Sequence, residues 1–344
     1  ENFSPYQHSQ VRIIEFPRGR VNYAQSFANT IPFSEGLGFI AQVDDNDEDG
    51  VDYPFAVTAH EVAHQWWAHQ VIGADVQGAT LMSESMSEYG ALKVLEKEYG
   101  AQQMRVFLKK ALDRYLEGRS TERLKEKPLI FNENQQYIHY NKGSLVLYAL
   151  SDYLGESVFN GAMSRYIDSV AFQEPPYTTS LEYMDVVRSV TPDSLSYLIK
   201  DMMETITLYN NKVTDASYKM RGDGKYEVTL KALVTKYRAD EKGKRVFTDG
   251  DGDSLVYQVE GRRKPTISLP LADWVEVGVF TEKEVDGQMK EVPLYLEKRQ
   301  FKKIKNEITL IVDEKPTSVG IDPYNKLIDV VSNDNRLAPD EVSE

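Results

Sequence analysis

The hydrophobic period of this chain changes once, near residues 205–211, and that change limits the folds open to it. Before it, apolar residues recur at helical spacing through 102–116, 137–154, 157–170, 180–190 and 194–204, the pattern of helices that bury one face. After it, strict alternation takes over. Tyr226, Val228, Leu230, Ala232 and Val234 share one face, and Glu227, Thr229 and Lys231 share the other, the period of a half-buried strand. Similar short strands follow at 255–259, 274–280, 292–297, 307–312 and 319–321, separated by Gly, Pro and Asp clusters. Strands at such spacing imply an antiparallel sandwich. The expected architecture is α+β: a mixed, mostly helical domain over residues 1–208, then an all-β domain over 209–344. A chain of 344 residues is long enough for both cores.

Local signals refine this outline. Residues 11–16 and 38–43 read as short strands, with turn signals at Pro17, Gly19 and Pro32 between them. The acidic run 44–52 lacks ordered ligand spacing and reads as a solvated loop. Residues 119–128 are charged, end in proline and read as a connector. Asp249, Asp251 and Asp253, with Glu260 in the twelfth place, imitate a calcium loop. Ser254 stands where that loop's sharp turn requires glycine, so a polar hairpin turn is the better reading.

Charge and composition exclude several classes. With 54 acidic residues against 40 basic ones, the net charge is -14, a field that repels nucleic acid and anionic membranes. No run of 18 apolar residues exists to span a bilayer. The first residues form no signal peptide, and the chain does not begin with Met, so it reads as a piece of something longer. The absence of cysteine rules out thiolate metal sites. Any metal must be held by carboxylates and the five histidines, His8, His60, His64, His69 and His139.

Two of those five lie in Thr58-Ala59-His60-Glu61-Val62-Ala63-His64-Gln65-Trp66-Trp67, a helix carrying H-E-x-x-H. Side chains at i and i+4 stack on one helical face, so the two imidazoles can share one small cation. Glu61 lies about 100° round the helix, near the cation's open side but poorly aimed to ligate it. Two imidazoles and one carboxylate are what catalytic zinc uses when a fourth position stays free for water, and an adjacent carboxylate can serve as general base. The third ligand should be a carboxylate on a neighbouring helix roughly twenty residues on, and Glu84 fits. Glu88, one turn further, has two readings: an acceptor that orients a ligand imidazole, or a solvated helix carboxylate. Trp66 and Trp67 read as packing residues and His69 as a surface or capping residue.

His60-Glu61-Val62-Ala63-His64-Gln65-Trp66-Trp67, then Glu84 in Leu81-Met82-Ser83-Glu84-Ser85, then Tyr140-Asn141-Lys142-Gly143, resemble the gluzincin aminopeptidases of the aminopeptidase N family. That family typically carries H-E-x-x-H-x18-E, with the last Glu in W-L-N-E-G-F-A, and later Y-x-K-G. The resemblance covers about residues 1–205, and the remainder is similar to the β-sandwich that follows. It implies a thermolysin-like catalytic domain that holds Zn2+ through His60, His64 and Glu84 and hydrolyses N-terminal residues from peptides. Glu61 would be the general base and Tyr140 the hydrogen-bond donor to the oxyanion. Tyr137 and His139 do not match the tyrosine pattern. The family grips the substrate's α-amine with a Glu in G-x-M-E-N, and the corresponding residue here is Glu35.

Departures are visible. The spacer before Glu84 has 19 residues, Ser83 and Ser85 replace Asn and Gly, and neither Met nor Asn flanks Glu35. The family's N-terminal β-domain is missing from the sequence. The pattern also resembles peptidases of this kind joined to ABC-transporter-type permeases in bacterial membrane proteins, which implies the extracytoplasmic side of a bacterial membrane and a permease portion in a longer parent chain. Two other readings stay open: a zinc endopeptidase lacking the amine grip of Glu35, and a non-catalytic extracytoplasmic sensing or assembly domain with structural zinc.

Overall fold

The computed structural model describes residues 2–19, 22–44, 50–246, 257–259, 266–285 and 287–342. The chain divides into two compact units, Glu1–Ile206 and Thr207–Glu344. The first begins with two parallel strands, β1 (Arg12–Phe16) and β2 (Thr30–Ser34). The longer helices that follow among the described residues are α1 (Tyr53–Ala63), α2 (Met86–Tyr99), α3 (Met104–Thr121), α4 (Gly143–Leu154), α5 (Glu156–Val170) and α6 (Ser180–Ser189). Asp52 caps α1 by accepting from the Phe55 N–H, and Pro54 occupies its first turn. Gly100 ends α2 in the left-handed region. Every residue of α4 from Gly143 to Ser151 is buried, which makes it the central helix on which the others pack. Deep in this core the Tyr89 hydroxyl is satisfied by Ser151 and Asn160.

The sequence expectation of a strand at 38–43 is not met. The chain turns there instead, with the Leu37 and Gly38 N–H groups donating to the Ser34 carbonyl. The Phe33 ring lies so close to Gly38 that a Cβ would meet it at 2.5 Å, a contact only a turn glycine allows. The strand that does form, β2, contains Pro32, whose carbonyl still accepts from Gln25. The stretch 194–204 is also less regular than its periodicity suggests, ending in a π-helical turn, Ile199–Glu204.

The second unit is built from strands β3 (Thr207–Tyr209), β4 (Lys212–Met220), β5 (Tyr226–Leu233), β6 (Lys236–Ala239), β7 (Arg245–Val246), β8 (Tyr257–Val259) and β9 (Thr266–Ser268). It continues with β10 (Asp273–Val285), β11 (Gln288–Phe301), β12 (Lys305–Val312), β13 (Ser318–Ile321), β14 (Arg336–Leu337) and β15 (Asp340–Glu341). One sheet runs β11-β10-β13-β14 and another β12-β5-β4-β15, with β13 and β14 packed on β4. Strand β4 is not legible in the alternation because its register shifts between Val213 and Asp215, and such a bulge puts the apolar positions out of phase. Most of the calcium-loop look-alike and of the acidic run near residue 45 lie outside the described residues.

The β unit buries several charges. Lys236 pairs with Asp273 at 2.9 Å and Lys326 with Glu276 at 2.8 Å. Asp329 is fully buried and pairs with no cation among the described residues; its carboxylate accepts from the Asn211 and Val331 N–H groups. Burial outweighs those two donors and pushes its pKa up to about 6. The folded state therefore binds this proton more tightly than the unfolded chain. The resulting stability is present below the unfolded value and is lost as pH rises through about 6, in total roughly 3 kcal/mol. The stability difference between the natural chain and Asp329→Asn should thus move in favour of the natural chain as pH falls from about 7 to about 4. Thermal melts across that range check this, and a difference independent of pH would refute it.

Candidate metal centre

Helix α1 brings His60 and His64 onto one face, both buried. The regular helix ends at Ala63, but His64 keeps helical torsions and its N–H still bonds to the His60 carbonyl. The two Nε2 atoms lie 2.9 Å apart. Glu84 arrives from a π-helical turn, Leu81–Ser85, that leads into α2. Its Oε2 sits 3.4 Å from His60 Nε2 and 3.3 Å from His64 Nε2. Among the described residues these three alone form a cluster able to hold a metal ion. A tetrahedral zinc with arms of about 2.0–2.1 Å needs ligand atoms about 3.3–3.4 Å apart. Two of the three edges have that length and the third is shorter by a few tenths. Glu84 Oε2 is also a buried oxygen without a hydrogen-bond partner. The donor set and its spacing fit zinc.

The electrostatics point the same way. Burial alone would raise the Glu84 carboxyl, but the two imidazoles outweigh it and hold the group well below the ordinary carboxylate range. Burial alone would lower His60, but Glu88, Glu84 and Glu61 push it up to about 10. A focused negative potential is therefore built where the three ligand atoms converge.

Each imidazole is held from behind. His64 Nδ1 lies 2.8 Å from the Trp67 carbonyl and 3.0 Å from Ser87 Oγ. A proton on Nδ1 donated to that carbonyl leaves the Nε2 lone pair facing the cluster. His60 Nδ1 lies 3.1 Å from Glu88 Oε1, so Glu88 stands where an orienting acceptor would. Ser87 was not foreseen in the sequence; its signal is the one-turn spacing from Glu84. Trp67 is fully buried against the edge of Phe3, and Trp66 donates its indole N–H to the Ser4 carbonyl. His69 lies 3.3 Å from the Ser26 carbonyl.

Glu61 is buried beside the cluster, and its carboxylate accepts from the Ser26 backbone. Burial raises its pKa against the pull of both imidazoles, which makes it a stronger base than a solvated glutamate. Tyr140 comes from a second π-helical turn, Tyr137–Lys142. Its ring centroid is 5.7 Å from that of His60. Burial and the Glu84 carboxylate, with which its hydroxyl bonds, push its pKa up, so it keeps its proton. The neighbouring His139 is held neutral by burial, with a pKa lowered to about 4. The Glu35 carboxylate accepts the Arg18 N–H at 3.0 Å, and Leu37, two residues further on, lines the cavity at the cluster.

Two contacts lock the Tyr140 turn to the Glu84 turn. Ser85 Oγ donates to the His139 carbonyl at 2.7 Å. Gly143 lies so close to Ser85 that a Cβ would meet its Oγ at 2.2 Å and its Cβ at 2.6 Å. Lys142 is buried and pairs at 3.2 Å with Glu126, which also accepts from Arg119 Nε at 2.6 Å. The charged connector read from the sequence thus contributes a buried anchor.

The cavity in front of the cluster has a volume of about 420 Å³. Three helices supply much of its lining, each with one face at helical spacing. From α1 come Tyr53, Val57, His60 and Glu61, and from α2 Glu88, Ala91, Leu92 and Leu95. The third face is Phe107, Lys110, Ala111 and Arg114 of α3.

Gly143→Ala should force the two turns apart, lowering stability by about 1–3 kcal/mol and weakening zinc binding about tenfold or more. Adding Ser85→Gly should recover much of both, since it removes the atoms the new methyl meets. Thermal melts and equilibrium dialysis against zinc measure this; unchanged zinc binding in the single variant would show that the contact does not position Glu84.

Residues 40–205 match the model of the peptidase family M1 domain. No curated protein sequence matches significantly. Among solved structures, an M1 zinc metallopeptidase from Deinococcus radiodurans is similar at 20% identity and a TM-score of 0.43, covering 59% of this chain and 41% of that one. The native leukotriene A4 hydrolase from Saccharomyces cerevisiae is similar at 16% identity and a TM-score of 0.46, covering 59% and 32%. The chain therefore spans less than half the length of these proteins. The match over residues 40–205 is thus to a peptidase domain, and the cofactor of the site is zinc.

Proposed function

We propose that the chain is a zinc aminopeptidase that hydrolyses N-terminal residues from peptides. The observation that carries this is the convergence of His60, His64 and Glu84 at zinc-ligand spacing, with Glu61 and Tyr140 at the same point. When bound, zinc supplies Lewis acidity, polarising a carbonyl and lowering the pKa of water. Glu61, buried and of raised pKa, takes the proton from the attacking water and delivers it to the leaving amine. Tyr140 keeps its phenolic proton and donates it as a hydrogen bond to the oxyanion. Glu88 and the Trp67 carbonyl keep the ligand imidazoles in place. Glu35 is the proposed anchor of the substrate α-amine, because it lies two residues from the cavity-lining Leu37. Location on the extracytoplasmic side of a bacterial membrane, joined to a permease portion, belongs to the same reading and rests on the resemblance of the motifs; the gene's full reading frame tests it. Among the described residues no helix is long and apolar enough to cross a membrane.

Two measurements test the chemistry. Glu61→Gln should lower kcat by about 10²–10⁴ while the variant still binds one zinc, whereas Glu84→Ala should lose the metal. Tyr140→Phe should lower kcat by about 10²–10³ with little change in KM. Full activity in Glu61→Gln would remove the proposed base. The aminopeptidase assignment is tested with aminoacyl amides and their N-acetylated counterparts. Only the free amines should be cleaved, and Glu35→Gln should raise KM for them; equal turnover of both series would indicate an endopeptidase.

A further inference from the structure

The turn that follows the metal-binding helix carries a strained residue. Ala68 stands at φ 128°, a conformation that glycine adopts freely and a residue with a Cβ adopts only at a cost. It sits inside a tight loop. The Gln70 and Val71 N–H groups both donate to the Trp66 carbonyl at 3.0 Å, and the Ala68 N–H donates to the Val71 carbonyl at 3.1 Å. The residue just before it, Trp67, supplies the carbonyl that lies 2.8 Å from His64 Nδ1. That carbonyl and the Ala68 N–H belong to one planar peptide group, so the φ of Ala68 sets where the carbonyl points.

Strain of this kind persists only where the surroundings over-determine it. Here the segment Phe3–Gln7, which lies in no helix or strand, grips the loop on both sides of Ala68. Before it, the Phe3 ring packs edge-on against Trp67 at 5.5 Å, and the Trp66 indole donates to the Ser4 carbonyl at 3.0 Å. Gln7 Nε2 donates to the Gln65 carbonyl at 2.7 Å. After it, Gln70 accepts from Ser4 Oγ at 2.9 Å and donates to Gln7 Oε1 at 2.7 Å. The segment is itself fastened to α5, where Ser164 Oγ donates to the Phe3 carbonyl. Relaxing Ala68 would rotate the residues before it against those after it and break contacts on one side. We propose that Phe3, Ser4 and Gln7 are positioning residues for the metal centre. Their clasp keeps Ala68 strained, and the strained turn keeps the Trp67 carbonyl on His64. By linkage, bound zinc in turn holds the segment in place. The proposal rests on the zinc centre and adds how one of its ligands is held.

The test measures zinc binding by equilibrium dialysis and uses no substrate, so a chain without peptidase activity would sink that reading and leave this one standing. Phe3→Ala with Gln7→Ala should weaken zinc binding about tenfold. The loss stays at that level because Ser87 Oγ, 3.0 Å from His64 Nδ1, remains as an acceptor. Ala68→Gly alone should leave zinc binding unchanged and raise the melting temperature by about 2–4 °C. Added to the clasp variant, Ala68→Gly should restore most of the lost affinity, because glycine keeps the turn without being forced into it. A general loosening of the fold would not be repaired in that way. In the natural chain, zinc should slow hydrogen exchange at the amides of residues 3–8, a measurement that requires no variant to fold. Zinc affinity unmoved in the clasp variant, a loss that Ala68→Gly does not repair, no gain in melting temperature from Ala68→Gly, or exchange at residues 3–8 indifferent to zinc would each overturn the proposal.

Discussion

The site depends on how closely α1 and α2 approach. Ala63, one residue before His64, faces Gly90 of α2, where an added Cβ would lie only 3.0 Å from the Ala63 methyl. A glycine inside a helix costs about 0.5–1 kcal/mol relative to alanine, so its presence here has a steric reason. With two small residues at the crossing, the backbones come near enough for Glu84, at the head of α2, to reach both imidazoles. Larger residues would widen the crossing, and the 3.3–3.4 Å spacing between carboxylate and imidazoles could not be kept. Catalytic geometry here follows from backbone proximity before it follows from the identity of the ligands.

Having brought two histidines and three glutamates together, the fold must hold them with little water. Like charges in a buried site repel and desolvation penalises each of them. Without a cation the cluster relieves this by keeping a proton on His60, whose pKa is pushed up to about 10, between Glu88 and Glu84. A divalent ion does the same work with more charge in the same place. The residues that surround the cluster are therefore a site under electrostatic stress that a cation relieves, which is why Glu84 Oε2 has no protein hydrogen-bond donor of its own.

Much of this was legible in the chain. The i, i+4 histidines fix the helix face, the change of period separates helices from strands, and Gly100 and Pro54 mark helix ends where the structure has them. What was not legible has a common cause: it depends on backbone that departs from regular periods. Glu84 and Tyr140 were found by spacing and motif, but the π-helical turns that carry them, which insert a residue and rotate the side chains that follow, were not. The carbonyl of Trp67 that orients His64 is a main-chain group and leaves no trace in residue identity. The strand at 38–43 failed because Gly38 answers to the Phe33 ring rather than to alternation. Strand β4 was hidden by a bulge.

These departures concentrate where local rules and chemistry conflict. A regular helix at Leu81–Ser85 would turn Glu84 by a different angle relative to α2, and a regular helix at Tyr137–Lys142 would do the same to Tyr140. Two irregular turns held separately would each be free to relax. Here they are tied to one another by Ser85 and His139, and the second is tied to the protein interior by Lys142 and Glu126. A buried ion pair such as Lys142 with Glu126 adds little net stability over apolar packing, because both charges lose their hydration. Its geometry is nonetheless demanding, since a displaced lysine would leave Glu126 without one of its two cations. Placed two residues after Tyr140, the pair fixes the rotation of the turn that presents the phenol, and it does so at the point where the backbone itself is least constrained.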